Sequence, residues 1–156
     1  MKKIIAILGA ALLLTGCSSN PQNEFSQKDT NSKIFNVSTS YFESYTDEET
    51  DSAYIVKGRV DQENDGNAVA VRVHAKENKT IGLKGTLTKI SGSDTELVYV
   101  SPDGEKEKIT DNSSDSYNTT IHISEGDGKI IFMGEHAVYD FEIELEFAEG
   151  VTYSDL

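Results

Sequence analysis

The chain has no tryptophan, one cysteine and few basic residues. Its longest apolar stretch, residues 4–14, is 11 residues long, well short of the ~20 that a membrane-spanning helix needs. A single cysteine excludes an intrachain disulfide, so the folded part must be stable without a covalent staple. Without tryptophan, the largest aromatic platform for stacking on a sugar ring is missing. There are 14 Lys and Arg against 27 Asp and Glu, for a formal net charge of −13. Nucleic acid is thereby disfavoured as a partner, because the phosphate backbone demands a basic face. Docking onto anionic lipid by charge is disfavoured for the same reason.

What is there begins at the N-terminus. Lys2 and Lys3 precede the apolar stretch, which ends in Leu14-Thr15-Gly16-Cys17. A charged start, a short apolar segment and small residues before a cleavage point describe a signal peptide. Small residues let the segment enter a peptidase groove in extended form, and the thiol of Cys17 can be alkylated to a thioether. These residues resemble the lipobox of bacterial lipoproteins, over residues 1–18. The resemblance implies a diacylglyceryl group on Cys17, cleavage between Gly16 and Cys17, and palmitate-type acylation of the new N-terminus. Two or more acyl chains anchor a protein durably, where one holds it only marginally. The implied location is the extracytoplasmic face of a bacterial membrane, at the cell surface. Once the leader and its two lysines are gone, twelve basic side chains face 27 acidic ones, a charge of −15. The domain would then have no charge-based affinity for lipid, and attachment would rest on the anchor.

The organisation expected is a signal peptide over 1–16, the lipidated cysteine and a polar tether over 17–33, and one domain over 34–153. The tether is polar apart from Phe25 and spans ~20–25 Å if it behaves as a flexible chain. The domain has the length for one core of ordinary size.

Alternation of apolar and polar residues recurs through this domain, and no stretch carries a helical period. Phe35, Val37, Thr39 and Tyr41 form one such set. The clearest is Tyr139, Phe141, Ile143, Leu145 and Phe147, alternating with Asp140, Glu142, Glu144 and Glu146. Turn signals separate the runs: Asp65-Gly66, Pro102-Asp103-Gly104, and Glu125-Gly126-Asp127-Gly128. Each predicts a short antiparallel hairpin. The mostly charged run 105–110 suits a protected sheet edge. The fold class expected is all-β: a single antiparallel β-sandwich of about eight or nine short strands, in jelly-roll or immunoglobulin-like order. Residues 128–147 resemble the closing hairpin of jelly-roll sandwiches of the carbohydrate-binding-module type. That resemblance lies in pattern and carries no binding residue with it.

Sites are sparser than strands. Tyr41, Phe42 and Tyr45 cluster at the end of the first predicted strand, and Tyr139 and Tyr153 are further candidates for partial exposure. Tyr41, Tyr45 and Tyr139 are the expected ligand-contacting residues, since tyrosine rings stack on sugars or anchor protein interfaces. Asp61-Gln62-Glu63-Asn64-Asp65-Gly66 starts like a calcium loop, but Arg72 stands at the twelfth position, where a bidentate Glu belongs, and the helical flanks are missing. Asp47, Glu48, Glu49 and Asp51 form an acidic loop between the first two predicted strands. No cofactor is expected; loosely held calcium at such a loop is the one exception the residues leave open. Glu142, Glu144 and Glu146 share one strand face, with Lys84, Lys106, Lys108 and Lys129 as candidate cross-strand partners. His74, His122 and His136 lack the spacing of a zinc site. No nucleophile elbow or phosphate-binding glycine loop is present, so no catalytic residue is assigned. The expectation is a non-enzymatic, membrane-anchored module that binds a protein partner or other ligand. A carbohydrate-binding accessory module is the alternative, and a hydrolase has the least support.

Overall fold

Residues that alternate in polarity bury one face only when a second layer covers it. The computed structural model, which describes residues 41–62, 66–111 and 115–155, supplies that layer as a second sheet. The lipobox, Cys17, the tether and the predicted strand from Phe35 to Thr39 lie outside the described residues. The chain divides into two compact units, Met1–Asn31 and Ser32–Leu156, and all described residues belong to the second.

The described residues form ten strands and no helix. They are β1 (Tyr41–Glu49), β2 (Ala53–Gln62), β3 (Gly66–Ala75), β4 (Lys79–Gly92), β5 (Thr95–Val100), β6 (Lys106–Asp111), β7 (Ser116–Ile123), β8 (Gly126–Gly134), β9 (Ala137–Glu146) and β10 (Val151–Ser154). Sheet A has the order β1-β2-β9-β4-β7, and sheet B the order β10-β3-β8-β5-β6. All pairings are antiparallel. The pairs nest: β5 with β6, β4 with β7, β3 with β8, and β2 with β9. One long hairpin rolled into two layers has this connectivity, which is the jelly roll. The immunoglobulin-like order is therefore set aside. β1 widens sheet A beside β2, and β10 widens sheet B beside β3.

Topology corrects several turns. Pro102-Asp103-Gly104 does close a hairpin, with Gly104 at φ 90° donating its N–H to Ser101 O at 3.0 Å. Asp65-Gly66 and Glu125–Gly128 do not. The first joins β2 to β3 and the second β7 to β8, in each case from one sheet to the other. The closing hairpin expected over 128–147 is likewise a crossover, since β8 and β9 lie in opposite sheets. The acidic loop is also corrected: Asp47, Glu48 and Glu49 belong to β1 and pair with Val56, Ile55 and Tyr54.

The core lies between the sheets. β9 contributes Ala137, Tyr139, Phe141, Ile143 and Leu145, each buried and alternating with its charged outer face. Ile81, Leu83 and Leu87 of β4 lie on the same inner face. Ile130 and Phe132 of β8, and Leu97 and Tyr99 of β5, meet them from sheet B. Burying a side chain of this size stabilises by roughly 1.5–3 kcal/mol. Gln62, fully buried, is matched rather than stranded: its oxygen accepts from Thr95 Oγ1 at 3.0 Å and its nitrogen donates to Phe132 O at 3.4 Å.

Candidate functional site

The two lateral sides of the sandwich close differently. On one, β6 of sheet B meets β7 of sheet A through a side chain: Glu107 accepts the His122 backbone N–H at 3.0 Å. On the other, where β1 and β10 lie, aromatic rings close the gap. Phe132 packs on Phe141 at 4.9 Å between ring centres, Phe141 on Phe42 at 5.6 Å, and Phe42 on Tyr45 at 5.2 Å. Tyr54 stacks on Tyr153 at 5.8 Å with an interplanar angle of 16°, and Tyr153 meets Phe147 at 6.2 Å. The first group of rings reaches into the core at Phe132, and the second ends at Phe147, which is 42% exposed.

Hydrogen bonds fix these tyrosines. Tyr45 Oη donates to Ala70 O at 2.7 Å, tying β1 to β3 across the sandwich. Tyr54 Oη donates to Asp47 Oδ2 at 3.1 Å, and Tyr153 Oη to Glu146 O at 2.6 Å. Burial pushes the Tyr45 hydroxyl well above its ordinary range, and the charges of Asp47 and Asp155 push the same way. The Tyr54 hydroxyl is raised by burial first, then by Tyr45 and Asp47. Burial and Glu146 raise Tyr153. These phenols stay neutral donors, set among carboxylates. Phe147, half-exposed, thus packs on Tyr153, whose hydroxyl is held by Glu146 O and whose ring stacks on the Asp47-bonded Tyr54.

The expected tyrosines are distributed otherwise. Tyr139 is corrected from surface to core: it is fully buried, and its hydroxyl donates to Ser93 O at 3.2 Å. It belongs to the inward set of β9, where alternation had already placed Phe141 and Ile143. Tyr45 is only partly buried, but its hydroxyl is committed to Ala70 O and its ring packs against the core. Tyr41 opens β1 opposite Asp61. The aromatic residue that sequence reasoning passed over is Phe147. Its signal was its position at the end of the β9 alternation, just past the strand.

The outer face of sheet A carries charge in rows. Arg59 makes two contacts to Asp140, at 2.7 and 3.0 Å, and Lys57 pairs with Glu142 at 3.4 Å. Lys84 pairs with Glu144 at 3.1 Å. The Arg59 guanidinium holds the Asp140 carboxyl below its ordinary range. Of the four lysines expected to face these glutamates, Lys84 does; Lys106, Lys108 and Lys129 lie on sheet B and do not. A shallow groove of about 530 Å³ runs over β4, β7 and β9, lined by Lys84, Thr86, Ser116, Asn118, Glu142 and Glu144. Its two carboxylates, both partly exposed, each hold a lysine. A general acid for glycoside hydrolysis instead needs a carboxyl kept protonated by an apolar setting.

The histidines stand apart. His74 Nδ1 lies 2.7 Å from Asp127, His122 is at Glu107, and His136 occupies the β8–β9 turn at φ 51°. Among the described residues, no three metal-ligating side chains converge. Of the calcium-loop oxygens, Asp61 lies within β2, while residues 63–65 are outside the described residues.

Comparison with known proteins bears on the two ends of the chain differently. Residues 1–18 match the prokaryotic membrane lipoprotein lipid attachment site. The chain carries a bacterial lipoprotein signal. No curated protein matches the sequence. Among solved structures, a family 35 carbohydrate binding module from an environmental isolate is similar at 19% identity and a TM-score of 0.41, covering 79% of this chain and 88% of that one. A cupin domain from Bordetella pertussis Tohama I is similar at 11% identity and a TM-score of 0.35, covering 67% of this chain and 93% of that one.

Proposed function

We propose that this lipoprotein is a non-catalytic binding module, held at the extracytoplasmic face of the membrane through Cys17, which engages a basic protein partner at the open end of its aromatic seam. The observation that carries the reading is Phe147, 42% exposed and backed by Tyr153 and Tyr54. A large ring on a rigid backing loses little conformational entropy on binding, so its burial is retained as affinity. The net charge of −13 favours a cationic partner, whose Lys or Arg side chains can also lie over the rings. A glycan reading relied on Tyr41, Tyr45 and Tyr139 as platforms, and two of the three, Tyr45 and Tyr139, have structural work within the sandwich. A hydrolase would need a protonated carboxyl beside an ionised one, and Glu142 and Glu144 are each ion-paired with a lysine.

The test is capture from cell envelope by the processed protein, alongside a glycan array, with Phe147→Ala as the comparison. The expected outcome is a protein partner whose affinity falls at least about tenfold on removing the ring, as for an interface anchor worth ~1.4 kcal/mol or more. Raised salt should weaken it further. Glycan binding with no protein partner would overturn the reading. Independently, Cys17→Ala should leave the protein unprocessed or in the soluble fraction. Unchanged membrane fractionation and mass would remove the anchor from the proposal.

A further inference from the structure

The edge of a sheet holds main-chain N–H and C=O groups that no neighbouring strand satisfies, and folded proteins guard it with charge, irregular pairing or shortness. Among the described residues the edge strands are β1 and β7 of sheet A and β10 and β6 of sheet B. Three of these are guarded. β1 carries Glu43, Asp47, Glu48 and Glu49, and its pairing shifts between Phe42 and Ser44. β6 carries Lys106, Glu107, Lys108 and Asp111, and its pairing with β5 shifts beside Ile109. β10 is four residues long. β7 has none of these devices. Its eight residues, Ser116–Ile123, include no Asp, Glu, Lys, Arg or Pro, and they pair with β4 from Ile123 to Ser116 without a shift. Tyr117, Thr119, Thr120, Ile121 and Ile123 all favour extended backbone.

Glu107 caps one end of this edge only. The His122 N–H points to Glu107, away from β4, while Asp115 O accepts from the Leu87 N–H of β4. Outward and inward positions alternate along an antiparallel strand, so Asn118 and Thr120 turn their N–H and C=O groups outward with His122. Both residues are exposed, and among the described residues no strand pairs with this edge. Thr120 O takes a 3.4 Å bond from Thr119 Oγ1, which leaves it a second lone pair.

We propose that Asn118 and Thr120 pair with Thr120 and Asn118 of a second copy, antiparallel about Thr119, so that two copies of sheet A join into one continuous sheet. The observations select a second copy as the occupant. The two outward positions short of the Glu107 cap lie symmetrically about Thr119, as a two-fold contact requires. Thr119 then faces its own counterpart and Tyr117 faces Ile121, a hydroxyl pair and an aromatic–β-branched pair of the kind that stabilise sheets. β7 brings no charge to the junction, and β6 beside it carries both signs, so two acidic copies meet where neither is acidic. The lipid anchor confines the copies to one membrane, which raises their effective concentration. Pairing stops at His122, where Glu107 already holds the outward N–H. The rings beside β1 and β10 lie on the opposite lateral side, so the contact leaves Tyr153 and Phe147 uncovered in both copies.

The experiment uses the processed lipoprotein in lipid vesicles, at a lipid excess large enough to make chance encounters rare. Cys17 is the chain's one cysteine and carries the anchor, so an introduced thiol reports its own contacts. Two residues directly opposed at position 119 stand ~4.5 Å apart at Cα, within the range a disulfide spans. With copper phenanthroline as oxidant, Thr119→Cys should cross-link to a second copy at least about tenfold faster than Thr88→Cys, on the exposed outer face of β4. Thr120→Pro removes an outward N–H and leaves the β4 ladder whole. Added to Thr119→Cys, it should bring the rate down to that of position 88. Asn118→Lys, which places a charge on the edge, should act in the same direction. It carries the test if the proline variant loses its β-sheet circular dichroism signal. Equal rates at positions 119 and 88 would overturn the proposal, as would cross-linking at 119 that neither substitution slows. In whole cells, a cross-link from position 119 to a different protein in place of a second copy would assign the edge to that protein's strand, with the same consequence.

Discussion

Single residues decide how closely the strands approach. Gly85 lies on the inner side of β4, where an added β-carbon would run into the Glu142 main-chain oxygen and come within 2.6 Å of Tyr117 Oη. The missing side chain is what lets Tyr117 donate to Glu142 O at 2.9 Å. Gly82, on the outer side of the same strand, would meet only the carboxylate of Glu146, the movable end of a flexible side chain. Gly85→Ala should therefore lower the free energy of unfolding by about 3 kcal/mol, combining overpacking with a lost hydrogen bond. Gly82→Ala should stay within about 1 kcal/mol. Urea midpoints at constant m-value separate the two, and equal losses would contradict this account. Tyr45→Phe removes the bond to Ala70 O while keeping the ring, for a loss of about 1 kcal/mol. At this scale the sequence was partly legible. The inward set of β9 could be read from alternation alone, and Tyr139 follows from it. Whether a tyrosine hydroxyl finds water or a backbone oxygen depends on what stands opposite, and no local pattern carries that.

The strands themselves were legible where alternation was strong and long. β9 stands where the pattern put it, and β6 is the sheet edge that the charged run 105–110 predicted. β1 was missed because the pairing shifts between Phe42 and Ser44 and because its second half is acidic, so it reads as a solvated loop. β10 has four residues, too few for a period to register. Edge strands carry their own constraint: unpaired N–H groups invite other chains. β7 meets it through a partner on the opposite sheet, since Glu107 accepts the His122 N–H and lies 3.4 Å from the His122 ring. Glu107→Ala should cost about 0.5–1.5 kcal/mol and increase self-association. Static light scattering against concentration, with the wild type beside it, would reveal the second effect; identical curves would remove Glu107 from edge protection.

At the scale of the whole molecule, six tyrosines have hydroxyls pushed above the ordinary value of 10.0, with burial the first cause in each. The unfolded chain loses these protons near pH 10, before the folded one does. Their contribution to stability is therefore complete below that pH and is lost as the pH rises above it. Alkaline titration should show most of the tyrosinate absorbance appearing together with the loss of the β-sheet circular dichroism signal. Tyrosinate formed near pH 10 with the sheet signal intact would contradict the packing of the seam. By itself, the sequence determined the lipoprotein signal, the all-β character and the sandwich, because each depends on local chemistry: a cysteine after small residues, and a period of two. Only the tertiary structure decided the jelly-roll order, the crossovers at Asp65-Gly66 and Glu125–Gly128, and the exposure of Phe147 in place of Tyr139. A turn motif specifies a reversal of direction but not which sheet receives the next strand. That choice is made by pairings as distant in sequence as β2 with β9, where burial of both inner faces at once selects one partner for each strand.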